Sequence, residues 1–220
     1  MPRRALYEKR PWLLGSLAAA LAYHFLHDEA VGGLYLLGMK GAAAGMLGIY
    51  ALLRHRGPDG RLLALIMALA AAGDMAEELD TRISILLFFA VHLAAIMLFL
   101  RNRRAHPSSS QKAAAAAILL LTPLIAYLSA RGHDGAGPMT IYAVALGGMG
   151  AGAWASRFTR YRVGAGAVLF IASDLLVIGQ FTWPSGQELA SLLAWPLHYV
   201  GLFLICTGVI QTLRKELPSD

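Results

Sequence analysis

The sequence is divided into long apolar segments that are separated by short polar connections. Each segment holds about 20 residues, the number that an α-helix needs to cross the hydrocarbon core of a bilayer. Hydrophobic residues make up 57% of the 220 residues and charged residues only 15%, a balance outside the usual range of soluble domains. The sequence therefore predicts an all-α fold, a polytopic transmembrane helical bundle. The eight predicted spans are residues 12–26, 31–53, 61–79, 82–100, 113–130, 138–156, 163–182 and 188–213.

The connections between the spans are too short to hold a soluble domain, so residues 1–220 are predicted to form a single transmembrane domain. They are rich in the turn-forming residues Gly, Pro, Ser and Asp. Small residues are concentrated within two of the spans, which predicts close packing of those helices in lipid. These two stretches are Gly41–Gly48 and Gly147–Gly152.

The basic residues indicate how the chain is oriented. Sixteen of the nineteen Lys and Arg residues lie at the termini and in alternate loops, whereas only Arg82 and Arg131 lie in the other loops and Lys40 lies within a span. The positive-inside rule therefore places both termini in the cytoplasm, as an even number of spans requires. Basic residues that alternate by loop are interpreted as cytoplasmic anchors, so the net charge of +6 does not indicate a nucleic-acid partner.

The N-terminal segment has a second interpretation. Four basic residues precede the apolar stretch Trp12–Leu21, a pattern that is also typical of a signal peptide. Cleavage would leave seven spans and would put the new N-terminus on the wrong side for the loop charges. A first transmembrane span is therefore the preferred interpretation.

Five of the predicted spans each carry one ionisable side chain at a similar depth below their outer ends. An ionised group in hydrocarbon costs several kcal/mol, so such residues must face protein, water or a partner charge, and they usually mark a functional site. At 1.5 Å per residue, all five lie roughly 8–15 Å below the outer ends of their spans. We therefore expect them to line one cavity near the non-cytoplasmic face. They are Lys40, Asp74, His92, Asp174 and His198.

The two halves of the chain show the same arrangement of these residues. The span of Asp74 is followed by the span of His92. About a hundred residues later, the span of Asp174 is followed by the span of His198. This order predicts a four-plus-four internal repeat, and with four spans in each copy the two copies enter the membrane from the same side as a parallel repeat.

Asp74 and Asp174 are the principal catalytic candidates. Two carboxyl groups in one pocket of low dielectric hold their protons unequally, so the pair can supply an acid and a base. The alternative is structural, because an Asp can also simply neutralise a charge such as that of Lys40 in a buried ion pair.

The two histidines of the spans, His92 and His198, are also catalytic candidates. Each could act in acid–base catalysis, bind a metal or form a hydrogen bond between helices. A metal is not expected, because the sequence has no close-spaced ligand pair such as His-x-x-x-His. Cys206 is the only cysteine, so neither a Cys-based metal site nor an intramolecular disulfide can form. No cofactor is expected.

Several further residues are candidates for binding a substrate. Lys40 could bind a phosphate, keep one Asp ionised or serve only as a counter-ion. Glu77 and Glu78 lie one turn beyond Asp74 on the same helix face, where they could receive a cationic headgroup or form the solvated end of the helix. Two tyrosines of the sixth and eighth spans complete the set: Tyr142 and Tyr199.

These residues belong to short motifs that occur in a fixed order over nearly the whole chain. The motifs are Met39-Lys40-Gly41, Gly73-Asp74, Phe89-Ala90-Val91-His92-Leu93, Tyr142 with Met149, Leu169-Phe170-Ile171-Ala172-Ser173-Asp174, and His198-Tyr199. In order and spacing they resemble the lysoplasmalogenase (YhhN-type) family of eight-span membrane proteins. One departure is Gly41, because the family often has Pro after the Lys, and this leaves the shape of the second span open.

The resemblance implies hydrolysis of the vinyl-ether bond of a lysoplasmalogen to a fatty aldehyde and a glycerophosphoethanolamine or glycerophosphocholine. It further implies a lysophospholipid partner within a bilayer, and a multi-pass protein of a bacterial-type inner or plasma membrane. Vinyl-ether cleavage requires a proton donor to carbon and a nearby anion for the oxocarbenium-like cation, as in glycoside hydrolysis by two carboxyl groups. The two Asp residues suit this chemistry, but the sequence does not assign which is the acid.

Two other functions could use similar residues. A proton-coupled transporter could relay protons through the same Lys, Asp and His side chains, although its site is usually central in the membrane rather than near one face. An aspartyl intramembrane protease would also use a pair of Asp residues. The last spans lack the Pro-Ala-Leu sequence expected of that family, and Trp195-Pro196-Leu197 is a poor substitute.

Overall fold

The structure is a computed structural model that describes residues 10–30, 32–180 and 187–215. Within these ranges the chain forms eight α-helices, no β-strand and a π-helical turn (Arg160–Gly164) just before the seventh helix. The all-α prediction is therefore confirmed for the part of the chain that is described. The helices are α1 (Arg10–Leu26), α2 (Gly33–Arg54), α3 (Pro58–Glu77), α4 (Thr81–Arg101), α5 (Ser109–Ala130), α6 (Ala136–Ala155), α7 (Ala165–Gln180) and α8 (Gln187–Lys215).

The bounds of these helices agree with the predicted spans to within four residues. One difference affects the candidate site, because α3 ends at Glu77 and Glu78 lies beyond the helix as its C-cap, although the predicted span extended to residue 79. A second difference is the π-helical turn, which precedes α7. The predicted end of the seventh span at residues 181–182, the turn at residues 183–186 and the N-terminal basic residues before Arg10 lie outside the described residues.

Among the described residues, five segments are long and apolar enough to cross a membrane by length and composition. The other three helices each have a feature that weakens the signal: α1 has 17 residues, α3 carries four charged residues, and α6 is rich in Gly and Ala. The result is consistent with an integral membrane protein, while the crossing of all eight helices stays a prediction. The five segments are Gly33–Arg54, Thr81–Arg101, Ser109–Ala130, Arg160–Gln180 and Gln187–Lys215.

The chain divides into two compact units. The first unit consists of Met1–Ala94 with Cys206–Asp220, and the second consists of Ala95–Ile205. The division falls inside α4 and inside α8 rather than at the connection between α4 and α5. It therefore does not coincide with the predicted four-plus-four repeat, which stays a prediction, as does the single transmembrane domain.

In the first unit, α2 packs closely against α1 and α3 through small residues. The Ser16 hydroxyl of α1 donates a hydrogen bond to the Ala43 carbonyl oxygen over 2.6 Å. A Cβ atom added to Gly48 of α2 would lie 3.3 Å from the Ala64 carbonyl oxygen of α3, and one added to Gly41 would collide with Met75. α2 continues without a break through Gly41, so the absence of Pro after Lys40 leaves a regular helix.

In the second unit, glycines again allow close contacts between helices. Cβ atoms added to Gly148 and Gly152 of α6 would lie 3.1 Å from Ile96 and 3.3 Å from Phe99 of α4. The backbones of α7 and α8 also approach closely, because a Cβ atom on Gly166 would lie 2.8 Å from the Gly201 carbonyl oxygen. The prediction of close packing from the small residues of the second and sixth spans is thus confirmed.

The contact of Gly166 with Gly201 gives a test of this packing. We expect Gly166→Ala to destabilise the protein by about 1–3 kcal/mol, because the new methyl group can be accommodated only if α7 and α8 move apart. Gly179→Ala on the same helix is the matched control, since nothing lies within 4 Å of its added Cβ atom. Thermal unfolding of the detergent-purified variants, followed by helical circular dichroism, measures the difference, and equal midpoints would contradict this packing.

Candidate functional site

Lys40 of α2 forms two ion pairs at the end of α3. Its Nζ atom lies 2.7 Å from Glu77 Oε2 and 2.9 Å from Glu78 Oε1. Only 5% of the Lys40 side chain is exposed, compared with 42% for Glu77 and 31% for Glu78. The buried ammonium group therefore meets the two carboxylates at the boundary between the protein interior and its surroundings.

Tyr23 of α1 joins the same group of charges. Its hydroxyl donates a hydrogen bond to Glu78 Oε1 over 2.7 Å, and Lys40 Nζ lies 5.0 Å from the centre of its ring. We call Tyr23, Lys40, Glu77 and Glu78 the Lys40 cluster. It connects α1, α2 and the end of α3 and carries a formal net charge of −1.

Sequence reasoning did not identify Tyr23. The available signal was weak: Ser16 and Tyr23 lie seven residues apart, which places both on one face of α1, and both are buried. That spacing indicates which face of α1 packs against the protein. It does not indicate that the tyrosine meets a lysine from α2 and a glutamate that follows α3.

The Lys40 cluster bears on two alternatives that the sequence left open. Lys40 acts as a counter-ion to Glu77 and Glu78, because its Nζ atom donates a hydrogen bond to each carboxylate. Glu77 and Glu78 are not only the solvated end of α3, because both also form ion pairs with Lys40. Their role in binding a headgroup stays a prediction.

Asp74 is buried in α3, with 1% of its surface exposed. The backbone beside it is held against α4, since the Ser84 hydroxyl donates a hydrogen bond to the Gly73 carbonyl oxygen over 2.9 Å. Gly73 also leaves room for the ring of Phe88, which would lie 3.0 Å from an added Cβ atom. Thus α4 closes over α3 at the position of this carboxyl group.

His92 is fully buried on the same face of α4. Ser84, Phe88 and His92 are spaced by four residues, so they lie in a row along one side of the helix. Because Ser84 and Phe88 contact α3 at Gly73, this row marks the side of α4 that packs on α3. Asp74 and His92 therefore belong to one helix–helix interface of the first unit.

In the second unit, Asp174 of α7 is bound by Tyr142 of α6. The tyrosine hydroxyl donates a hydrogen bond to Asp174 Oδ2 over 2.6 Å. The ring of Tyr142 packs on an apolar cluster that includes Ala126 of α5 and Ile178 of α7. This packing and the hydrogen bond together hold the half-buried carboxylate in a defined position, because a bond to a charged acceptor is stronger than one between neutral groups.

His198 of α8 is buried between two aromatic rings. Its ring centre lies 4.7 Å from that of Phe170 on α7 and 5.9 Å from that of Trp195, one turn earlier on α8. Phe170 lies one turn before Asp174, so the imidazole packs on the part of α7 that carries the carboxylate. The neighbouring Ser173 hydroxyl donates a hydrogen bond to the Ala194 carbonyl oxygen over 2.8 Å and fixes this interface.

Tyr199 is buried within a row of aromatic residues. Its ring centre lies 6.4 Å from that of Trp195 and 6.1 Å from that of Phe203. Trp195, which the sequence analysis considered only as part of Trp195-Pro196-Leu197, is thus a neighbour of both His198 and Tyr199. Its spacing from His198, three residues on a helix, was the signal that could have identified it.

Each unit therefore brings one candidate carboxyl group and one candidate histidine to a shared interface of two helices. A carboxyl group in such surroundings can donate or accept a proton away from bulk water. Within residues 10–30, 32–180 and 187–215, no group of three or more His, Cys, Asp or Glu side chains could hold a metal ion. The single cavity expected for all five residues stays a prediction.

Comparison with known proteins identifies one family. A sequence model of the YhhN family matches residues 35–209, which is most of the chain. No curated protein and no solved structure matches the chain. The matched range contains every residue predicted for the site, whereas Tyr23 lies before it.

The Lys40 cluster predicts a specific loss of stability. Replacing Lys40 by Met should destabilise the protein by about 1–3 kcal/mol, because two neighbouring carboxylates then lose their counter-charge, while their partial exposure limits the cost. Arg82→Met, which removes an exposed cation near the start of α4, is the control and should change stability by less than about 0.5 kcal/mol. Thermal unfolding in detergent compares the two, and a Lys40→Met protein as stable as the control would rule out a structural role for the ion pairs.

Proposed function

The chain belongs to the YhhN family, which includes lysoplasmalogenases, and on this basis we propose that the protein is a membrane-embedded lysoplasmalogenase. It would hydrolyse the vinyl-ether bond of an alkenyl-glycerophosphoethanolamine or alkenyl-glycerophosphocholine to a fatty aldehyde and the glycerophospho-base. The observation that supports this most is the family match. Its range includes the five candidate residues of the predicted spans, Lys40, Asp74, His92, Asp174 and His198.

The reaction consumes one water molecule. A protonated carboxyl group transfers its proton to the vinyl carbon that is not bonded to oxygen. This leaves an oxocarbenium-like cation at the neighbouring carbon, which bears the oxygen. A carboxylate stabilises this cation and accepts a proton from the attacking water, and the resulting hemiacetal collapses to aldehyde and alcohol. The proposal assigns these two tasks jointly to Asp74 and Asp174, as in glycoside hydrolysis by two carboxyl groups.

The buried histidines have supporting roles in this proposal. Each lies at the same helix interface as one Asp, so each can hold a proton or a hydrogen bond close to the reacting groups. Tyr142 is proposed as a positioning residue rather than a direct substrate ligand, because its hydroxyl is bonded to Asp174. Tyr199 remains a proposed contact for the substrate at the aromatic row of α8.

The Lys40 cluster suits a zwitterionic headgroup. Phosphoethanolamine and phosphocholine place a phosphate next to a cationic nitrogen, and the cluster places a cation next to two carboxylates. We propose that the partly exposed Glu77 and Glu78 receive the nitrogen and that Lys40 faces the phosphate. Binding would then exchange one set of ion pairs for another, which limits the cost of removing these charges from water.

The membrane arrangement of the proposal follows the basic residues. All eight helices would cross a bacterial-type inner or plasma membrane, with both termini in the cytoplasm and the two halves as a parallel repeat. In this arrangement the carboxyl groups lie about 10 Å below the outer surface, close to the depth of the ether linkage of a single-chain lipid. The alkenyl chain would remain among the helices.

The proposal predicts strict dependence on both carboxyl groups. Asp74→Asn and Asp174→Asn should each lower aldehyde release from an alkenyl lysolipid by at least about 100-fold, because the amide cannot donate or accept the proton. The measurement uses purified protein in detergent, where transport between compartments cannot occur, with alkyl and acyl lysolipids as comparison substrates.

Asp134→Asn is the matched control, since Asp134 is an exposed Asp in the connection between α5 and α6. It should leave the rate unchanged. Folded Asp74→Asn and Asp174→Asn proteins that release aldehyde as fast as the control would exclude the two-carboxyl mechanism. Equal loss of the alkenyl, alkyl and acyl lipids, or no loss of any, would exclude the proposed function.

The role of Tyr142 gives a further test. Tyr142→Phe should lower kcat roughly tenfold with little change in KM, because the Asp174 carboxylate loses the donor that positions it. The pH dependence of kcat should also change, which a purely structural role would not produce. Tyr127→Phe on α5, a tyrosine with an exposed side chain, is the control, and identical kinetics for the two variants would contradict the positioning role.

A further inference from the structure

Two connections of the second unit are joined by hydrogen bonds. Arg157 N–H donates to the Asn102 carbonyl oxygen over 2.8 Å, and Arg104 N–H donates to the Ala155 carbonyl oxygen over 3.2 Å. The Arg157 side chain adds a bond from Nε to Asn102 Oδ1 over 2.8 Å. The end of α4 is thereby fixed beside the end of α6. We call residues 101–112 and 155–164 the basic junction.

The charge of the basic junction has a single sign. It contains seven Lys and Arg residues and neither Asp nor Glu. Arg103 pairs with Ser156 across an isolated bridge. Arg160 follows Ser156 by four positions, so the Cα atoms of Ser156 and Arg160 are at most about 14 Å apart. Charges from two distant parts of the sequence therefore share one small surface. The seven residues are Arg101, Arg103, Arg104, Lys112, Arg157, Arg160 and Arg162.

Part of this charge is presented outward together with an aromatic ring. Arg103 and Arg162 are exposed, whereas Arg157 is occupied by Asn102. Tyr161 is 87% exposed, and the guanidinium carbon of Arg160 lies 5.9 Å from the centre of its ring. Exposed tyrosines beside arginines are typical of the headgroup region of a membrane, where the ring and the cations both find partners.

The position of the basic junction along the helices points to the same region. Three of the segments that are apolar enough to cross a membrane begin or end at it: Thr81–Arg101, Ser109–Ala130 and Arg160–Gln180. Hydrocarbon ends where such segments end, so the arginines that follow lie among the lipid headgroups. A phosphate group of the lipid is then the nearest available anion.

We propose that the basic junction binds the headgroups of anionic phospholipids from the surrounding membrane. Arg103 and Arg162 supply the exposed guanidinium groups, which bind phosphate oxygens in pairs. Tyr161 lies beside them at the boundary with the acyl chains. This site lies within the second unit and is independent of the proposed hydrolysis.

The test compares lipid binding to two matched variants of the full chain. Arg103→Gln with Arg162→Gln removes two exposed arginines from the basic junction, and Arg56→Gln with Arg61→Gln removes two exposed arginines from the start of α3 and the connection before it. Purified protein in detergent is titrated with phosphatidylglycerol or phosphatidylcholine, and bound lipids are counted by native mass spectrometry. Helical circular dichroism confirms that each variant is folded.

The wild-type protein and the Arg56/Arg61 variant should bind phosphatidylglycerol more tightly than phosphatidylcholine. In the Arg103/Arg162 variant, binding of phosphatidylglycerol should weaken roughly tenfold or more, since two favourable surface charges are lost. For the wild type, the preference should also decrease with added salt. A wild-type protein without the preference, or a preference that both double variants retain equally, would overturn the proposal. The wild-type comparison decides the matter if the Arg103/Arg162 variant does not fold.

Discussion

The buried ammonium group of Lys40 imposes the strongest local constraint on the first unit. A cation inside an apolar helix is stable only if the protein supplies its counter-charge, and here Glu77 and Glu78 supply it from the end of α3. Tyr23 completes the arrangement from α1. One set of charges therefore fixes three helices at the same level and places Asp74 one turn away from them.

Close packing by small residues makes such an arrangement possible. Polar side chains can reach partners on another helix only if the two backbones approach closely, and glycine removes the side chain that would prevent this. Gly73 lets α4 close over α3 beside Asp74, and Gly166 lets α8 approach α7 in the helix pair that carries Asp174 and His198. The glycines that surround the candidate residues are thus part of how the site is built, although none of them takes part in chemistry.

The two units place their candidate residues in similar local arrangements. In each, a carboxyl group and a histidine lie at one interface of two helices, and a serine hydroxyl joins the two helices next to the carboxyl group. Ser84 donates to the Gly73 carbonyl oxygen in the first unit, and Ser173 donates to the Ala194 carbonyl oxygen in the second. The chain belongs to the YhhN family, which includes lysoplasmalogenases. Two carboxyl groups suit the proposed reaction, because vinyl-ether cleavage requires a proton donor and an anion but no redox chemistry.

The amino-acid sequence by itself determined the helices, because a segment of about 20 apolar residues has few stable structures other than a membrane helix. It also identified the polar residues within those helices, since each is costly in hydrocarbon. It did not identify Tyr23 as a partner of Lys40, Trp195 as a neighbour of His198, or the meeting of Asn102 with Arg157. Only the tertiary structure decided these contacts, because helix periodicity specifies which face of a helix is buried but not which residue of another helix lies opposite it.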